Sequence, residues 1–282
     1  LHKEYRRQRQ MCIRDSFSEV SQSLKASGND VPPAAPAHAP SGNIKAWEYR
    51  MSGHAQDCID RYLELSGMPE SSLKKVATPN LDDHQLAPSD FETKGVLAPS
   101  ASKIVLKVLY LARVNRLDLL WTVNTLAREV SKWTVACDKR LQRLMSYIQH
   151  TKDYVQTCFL GDPIEDCYIA MFVDASFAGD IRDSKSTTGM VMYLLGPNTS
   201  VPISWMCKKQ GCQSHSSTEA EVISLDAGLR MGGLAALAFW DEVISVFAPD
   251  APRLSTPKQL SLIHISEPTR PRLISYAVFC LK

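Results

Sequence analysis

The chain has 282 residues, 44% hydrophobic and 22% charged, with a formal net charge of +2. That length and balance fit a soluble globular protein of one or two domains with real cores. No uninterrupted apolar stretch approaches the roughly 18 residues of a membrane span, so no membrane partner is expected. The basic N-terminus lacks the apolar run of a signal peptide, so the setting reads as intracellular, cytoplasmic or nuclear. The eight cysteines, irregularly spaced, then read as reduced thiols.

Both ends look foreign to the rest. Residues 1–16, with Glu4-Tyr5-Arg6-Arg7-Gln8-Arg9-Gln10, resemble translated linker sequence, and so does the tail 251–282, with Ser261-Leu262-Ile263-His264-Ile265-Ser266-Glu267-Pro268. Both are expected to pack poorly and add no core. Residues 17–50 hold Pro32-Pro33, Pro36 and Pro40 among alanines and read as a disordered linker. In 55–65 the apolar set Cys58, Ile59, Tyr62 and Leu63 marks one helical face, and Gly67 is placed to end it. Residues 80–100 are polar, with Pro88 and Pro99, and read as a connector.

Three helices are predicted next. The first covers about 102–113. The second carries the stripe Leu119, Leu120, Val123, Leu126, Ala127 and Val130. In the third, Leu141, Leu144, Met145 and Ile148 recur at helical spacing, with Lys139, Arg140 and Arg143 on the other face. That basic face serves either solvation or contact with nucleic acid. Residues 101–160 hold ten Lys and Arg against four Asp and Glu, whereas 161–250 hold five against twelve. A basic module beside an acidic one suits a nucleic-acid channel next to a metal-binding site, or two ordinary solvated faces.

From Cys167 the pattern changes. Residues 168–173, 190–195 and 201–206 read as strands, the second closed by Gly196-Pro197-Asn198. A helix starts near Thr218, and Gly228, Gly232 and Gly233 are expected to break it. Two acidic residues stand in runs of small and polar residues: Asp174 in Val173-Asp174-Ala175-Ser176-Phe177-Ala178-Gly179-Asp180, and Glu221 in Ser216-Ser217-Thr218-Glu219-Ala220-Glu221-Val222. Between them lie Lys185-Ser186-Thr187-Thr188-Gly189, Ile203-Ser204-Trp205 and Lys208-Lys209-Gln210. A carboxylate at a strand end and another on a helix packed across that strand can meet in space. Glu219 competes for the helical role, but it lies about 200° around the helix from Glu221. Val222, Leu225 and Leu229 mark the packed face, and Glu221 borders it more closely. Asp180 and Asp183 read as solvated loop residues.

This ordered set resembles the ribonuclease H domain of copia-type retrotransposon Pol polyproteins. The stretch 62–79, with Ser66-Gly67-Met68 and Val76-Ala77-Thr78-Pro79, resembles the end of their reverse transcriptase domain. The resemblance implies an α/β fold: a helical connection module, then an incomplete ribonuclease H-like mixed sheet with a packed helix. Its divisions are 51–100 for the reverse transcriptase tail and connector, 101–160 for the helical connection, and 161–250 for a truncated ribonuclease H-like domain. It assigns Asp174 and Glu221 as metal ligands of a two-magnesium site that cuts the RNA strand of an RNA–DNA hybrid. Such ions sit about 3.5–4 Å apart, activate water and neutralise the leaving oxygen. Hard cations of this kind want oxygen ligands.

The resemblance places Ser217 and Thr218 against the RNA sugar, where a hydroxyl can recognise a 2′-hydroxyl. One of them is equally suited to cap the helix. Lys208 and Lys209 are placed to reach phosphates, or are simply exposed hairpin lysines. Cys207, Cys212 and His215 give an incomplete zinc pattern with no fourth ligand. The family's third and fourth carboxylates have no match: 260–265 could stand as the fourth strand, but no Asp follows Asp250. Two function classes stay open, a magnesium-dependent ribonuclease acting with the rest of the reverse transcriptase polyprotein, and a catalytically inactive fragment with at most weak nucleic-acid binding.

Overall fold

The computed structural model describes residues 44–179 and 183–249, together with the backbone of two strands, Leu260–Ile265 and Tyr276–Leu281. Residues 1–43, which hold the 1–16 segment and most of the 17–50 linker, lie outside the described residues, as does Asp180. Within the stretch read as linker, Lys45–Tyr49 forms β1.

Helix α1 (Ser52–Ser66) buries Ala55, Cys58, Ile59 and Tyr62, one stripe at helical spacing. It ends as expected at Gly67, whose φ of 67° lets its N–H turn back to Leu63 O at 2.9 Å. A short helix, α2 (Pro88–Glu92), sits in the connector with proline in its first turn. Three longer helices follow: α3 (Ala101–Val114), α4 (Leu120–Arg128) and α5 (Val135–Thr151). Their apolar stripes meet that of α1 in one core that includes Ile104, Val108, Leu111, Val123, Leu141, Leu144 and Ile148.

Polar side chains fix the turns around this core. The Asp138 carboxylate accepts from Trp133 Nε1 at 2.6 Å, Val96 N at 2.6 Å and Leu97 N at 3.3 Å. It thereby fastens the connector to the start of α5. Gly95 passes so close that a Cβ there would lie 2.6 Å from Thr134 O. Arg116, 4% exposed, grips Asp118 with two nitrogens and reaches Thr151 O at 2.7 Å, tying the end of α3 to the end of α5.

The basic face of α5 has intramolecular partners that the sequence analysis did not name. Lys139 donates to Asp90 at 2.6 Å, Arg140 pairs with Asp83 and is 9% exposed, and Arg143 donates to Thr78 O at 2.9 Å. All three hold the polar connector 78–92 against α5. The sequence did not reveal this, because the partners lie 49, 57 and 65 positions upstream.

The strands are β2 (Gln156–Leu160), β3 (Tyr168–Ser176), β4 (Thr187–Gly196) and β5 (Thr199–Lys209). With β6 (Leu260–Ile265) and β7 (Tyr276–Leu281) they form one sheet in the order β1-β2-β5-β4-β3-β7-β6. All its pairings are antiparallel. The mixed sheet expected from the sequence is therefore not seen. Parallel neighbours need long crossovers, whereas β4 and β5 are joined through Pro197-Asn198 alone and the place beside β3 is taken by the antiparallel β7. The tail read as foreign thus adds two strands, with β6 at the edge. Pro202 is accommodated on β5 where the register with β4 shifts between Met192 and Tyr193, a bulge of the kind that tolerates a missing N–H.

Each face of the sheet carries helices. On one, Trp205 and Cys207 of β5 pack against the helical core, and Trp205 Nε1 donates to Ala112 O at 2.9 Å. On the other, helix α6 (Ser217–Gly228) lies over β3 and β4, with Leu225 and Leu229 against Met171, Val173 and Met190. The expected break at the glycines is absent. The chain instead makes one π-helical turn, Leu229–Gly233, and continues as α7 (Leu234–Phe247). Ser217–Phe247 is thus one helical run, long and apolar enough by length and composition to cross a membrane. Its first half is occupied with the sheet, and in α7 Ala236, Leu237 and Trp240 pack on Ile169 and Met192.

The Asp138 hub gives a direct test. Asp138→Ala leaves two backbone N–H groups and an indole N–H without their acceptor, and should cost about 2–4 kcal/mol. Removal of the exposed Asp57 should stay within about 0.5 kcal/mol. Urea denaturation of both variants checks the contrast.

Candidate active site

Asp174 and Glu221 are brought together. Asp174 stands in β3, opposite Gly189 of β4 and two residues before the strand ends at Ser176, rather than at its end. Glu221 is the fifth residue of α6 and only 6% exposed. Its carboxyl shares a hydrogen bond with Asp174 and accepts another from the Ala175 N–H. Its Oε2 is buried without a hydrogen-bond partner. Burial first, and then the negative Asp174 beside it, push the Glu221 carboxyl from 4.5 up to about 8, against the opposing pull of the Ala175 N–H. A hydrogen bond between two carboxyl groups needs one proton, and this shift supplies it at neutral pH.

Leu225 and Leu229 pack on the sheet as expected, but Val222 does not. Ala220, Glu221, Ser224 and Gly228 face inward, while Val222 is 53% exposed. The reason is distance: a Cβ on Gly228 would lie 3.0 Å from Val173 Cγ2. Small residues let the helix backbone approach the sheet more closely than an aliphatic stripe would.

Glu219 has another task. Its Oε2 accepts from His215 N at 2.6 Å, while Ser216 Oγ accepts from Glu219 N at 3.1 Å. This reciprocal cap satisfies two backbone donors at the start of α6. Ser216 is therefore the N-cap, and Ser217 and Thr218, the two residues considered for that role, are exposed in the first turn. Lys209 is ion-paired with Asp183 at 2.7 Å, so Asp183 is not simply solvated. Lys208 is exposed, its Nζ 3.9 Å from Met231 Sδ.

A polar network missing from the sequence reading lies beneath the carboxylates. Gln210 Nε2 donates to Ala220 O at 2.9 Å and Ser224 Oγ at 3.1 Å, and lies 3.3 Å from Thr188 Oγ1. Ser214 Oγ donates to Gln210 Oε1 at 3.1 Å, and Thr188 and Ser224 share a 2.9 Å hydrogen bond. The one signal in the sequence was Gln210 itself, an amide directly after two lysines.

The donor set can be tested against magnesium. This ion commonly binds through one or two carboxylates with water and phosphate completing its shell. Asp174 and Glu221, adjacent and with one orphaned oxygen, fit one such ion. Among the described residues no group of three or more His, Cys, Asp or Glu side chains could hold a metal. A second ion is thus short of ligands here, and Cys207, Cys212 and His215 do not converge on zinc. A cleft of about 440 Å³ between α3, α4 and β5 is lined by Arg113, Asn124 and Trp205 and contains neither carboxylate.

The raised Glu221 group makes stability depend on pH. The folded chain holds a proton that the unfolded chain releases near 4.5, so this contribution is complete below about pH 4.5 and is lost as pH rises through about 8. In chelator-treated buffer, wild type should lose stability between pH 5 and 9 relative to Glu221→Gln, which lacks the titrating group. Equal pH slopes in urea denaturation would contradict the burial of a protonated Glu221.

No protein-family model and no solved structure matches the chain. The retrovirus-related Pol polyprotein from transposon TNT 1-94 of Nicotiana tabacum is 31% identical over 173 residues, 59% of this chain and 12% of that protein. The corresponding polyprotein from transposon RE2 of Arabidopsis thaliana is 32% identical over 161 residues, 55% of this chain and 10% of that protein. Secreted RxLR effector protein 161 of Plasmopara viticola is 30% identical over 118 residues, 42% of this chain and 78% of that protein. The chain therefore spans about a tenth of the length of the two Pol polyproteins. The matches to these plant transposon polyproteins support reading the chain as a fragment of a retrotransposon Pol polyprotein.

Proposed function

We propose that the chain carries part of a ribonuclease H region, with magnesium-dependent hydrolysis of the RNA strand in RNA–DNA hybrids as the activity of the parent polyprotein. The observation that carries this reading is the buried Glu221 carboxyl against Asp174, with Oε2 left without a partner. A buried carboxylate pressed against a second one is costly unless a proton or a cation joins them. Asp174 and Glu221 would hold magnesium, which supplies water activation and charge neutralisation at the scissile phosphate when bound. Glu221 would release its proton from the carboxyl as the cation is bound, since metal ligands must be deprotonated. Lys208, exposed at the end of β5, would meet phosphate. Ser217 and Thr218, exposed at the start of α6, would meet the sugar, where a hydroxyl distinguishes RNA from DNA. Lys209 is the weaker candidate for phosphate, because Asp183 already neutralises it. The remainder of the reverse transcriptase polyprotein is the natural partner for such a region.

A second reading, a catalytically inactive chain with at most weak nucleic-acid binding, is favoured by one observation. Among the described residues no third metal-ligating side chain joins the pair. Losing site charge of this kind lowers rates by about 10²–10³.

The test is a labelled RNA–DNA hybrid with magnesium, comparing the chain with Asp174→Asn. Magnesium-dependent cleavage lost in Asp174→Asn supports the ribonuclease reading. Hybrid binding that weakens with rising salt, without cleavage, supports the second. Cleavage unchanged in Asp174→Asn removes the assignment of this pair. The expected result is cleavage at least ~10²-fold slower than by a four-carboxylate site.

A further inference from the structure

Gln210, just beyond the end of β5, is 6% exposed and has every polar group of its side chain engaged. Its amide nitrogen is held by Ala220 O, Ser224 Oγ and Thr188 Oγ1, and its amide oxygen by the Ser214 hydroxyl. The Ala220 carbonyl fixes which way the amide faces, because only the nitrogen can donate to it, and the Ser214 hydroxyl then donates to the amide oxygen. Its backbone N–H donates to Ser186 O at 2.9 Å, so the main chain is tethered as well.

The partners of this amide bracket the two carboxylates. Ala220 immediately precedes Glu221, and Ser224 lies one turn beyond it on the same buried face. Thr188 is the neighbour of Gly189, the residue paired with Asp174 across the β3–β4 ladder. A single side chain thus links the strand beside Asp174 to the helical turn that carries Glu221. Contacts between apolar side chains are non-directional and leave a helix free to slide or roll by a fraction of an ångström. Hydrogen bonds to a carbonyl on one turn and a hydroxyl on the next remove that freedom.

We propose that Gln210 is a positioning residue for Glu221, setting the rotation and depth at which α6 presents that carboxyl to Asp174. The proposal rests on the reading of the Asp174–Glu221 pair as a cation site. Groups that orient ligands from behind typically change metal affinity by about 10–100-fold when removed. Leu225, Leu229 and the methionines of the sheet suffice to keep α6 attached, so the loss should be local to the pair rather than global.

The experiment compares wild type with Gln210→Met, which keeps the length and removes the hydrogen bonds, and with Ser224→Ala, which removes one of them and is the milder change. Hydrogen exchange is followed at the Ala175 amide, the donor to Glu221, and at the Leu144 amide in the helical core. Mn²⁺ binding, as a probe for the metal, is followed by calorimetry. Gln210→Met should speed exchange at Ala175 about 10-fold beyond any change at Leu144 and weaken Mn²⁺ binding about 10-fold. Ser224→Ala should move both in the same direction by less, and remains interpretable if Gln210→Met fails to fold. Exchange at Ala175 that follows Leu144 in both variants overturns the proposal, because it reduces Gln210 to general stabilisation. Unchanged Mn²⁺ affinity in Gln210→Met, where wild type binds, also overturns it. If wild type binds no Mn²⁺ but Ala175 responds locally, the positioning role stands and the cation reading falls.

Discussion

The architecture turns on how closely α6 lies against β3 and β4. Ala220, Ser224 and Gly228 form the inward face, and a Cβ on Gly228 would already press on Val173. At Gly228 a helix seated at this distance has no room for a larger side chain, and the carboxyl of Glu221 is carried inward with the backbone. Desolvation follows from that geometry, and the pairing with Asp174 follows from desolvation. The amide of Gln210 then answers the polar atoms that close packing has stranded, since buried polar groups without partners are costly. Site chemistry and packing are here one constraint seen from two sides.

Much of this was legible from residue order. The helical stripes of α1, α3, α4 and α5 were read from spacing, and the Gly67 terminus from the one residue type that enters positive φ cheaply. The cores of β3, β4 and β5 were read from short apolar runs bounded by turn residues. The proximity of Asp174 and Glu221 came from placing one on a strand and the other on the helix across it. What failed has a common cause. β1 is exposed along all five residues, so it carries no burial pattern to read. Val222 was placed inward because hydrophobicity was weighed and helix–sheet distance was not. The basic residues of α5 looked unengaged because their partners are far away in sequence, and Ser216 was overlooked as a cap in favour of its two hydroxyl neighbours.

The charge asymmetry of the chain takes a different meaning once these contacts are known. The positive excess of 101–160 is partly answered from within by Asp83, Asp90 and the Thr78 carbonyl, which brace the connector against α5. Of the twelve acidic residues of 161–250, Glu221 is buried against Asp174, while Asp183 pairs with Lys209 and Asp226 with Arg230. Part of the positive half is thus a brace within the fold, and part of the negative half is a buried carboxyl, with the other charges at the surface.

The glycines of the long helix rest on thioethers. Gly228 and Gly233 approach Met171, and Gly232 approaches Met190 and Met192, with both sulfur and methyl carbon in the contacts. Met171, Met190 and Met192 are all but closed to solvent while the helix is seated. Oxidation to the sulfoxide would place a polar, chiral group in a contact sized for a bare glycine, and the helix could not settle back over it. Peroxide would therefore act as a ratchet on this fold, recording each excursion of the helix from the sheet as a lesion that keeps it from returning.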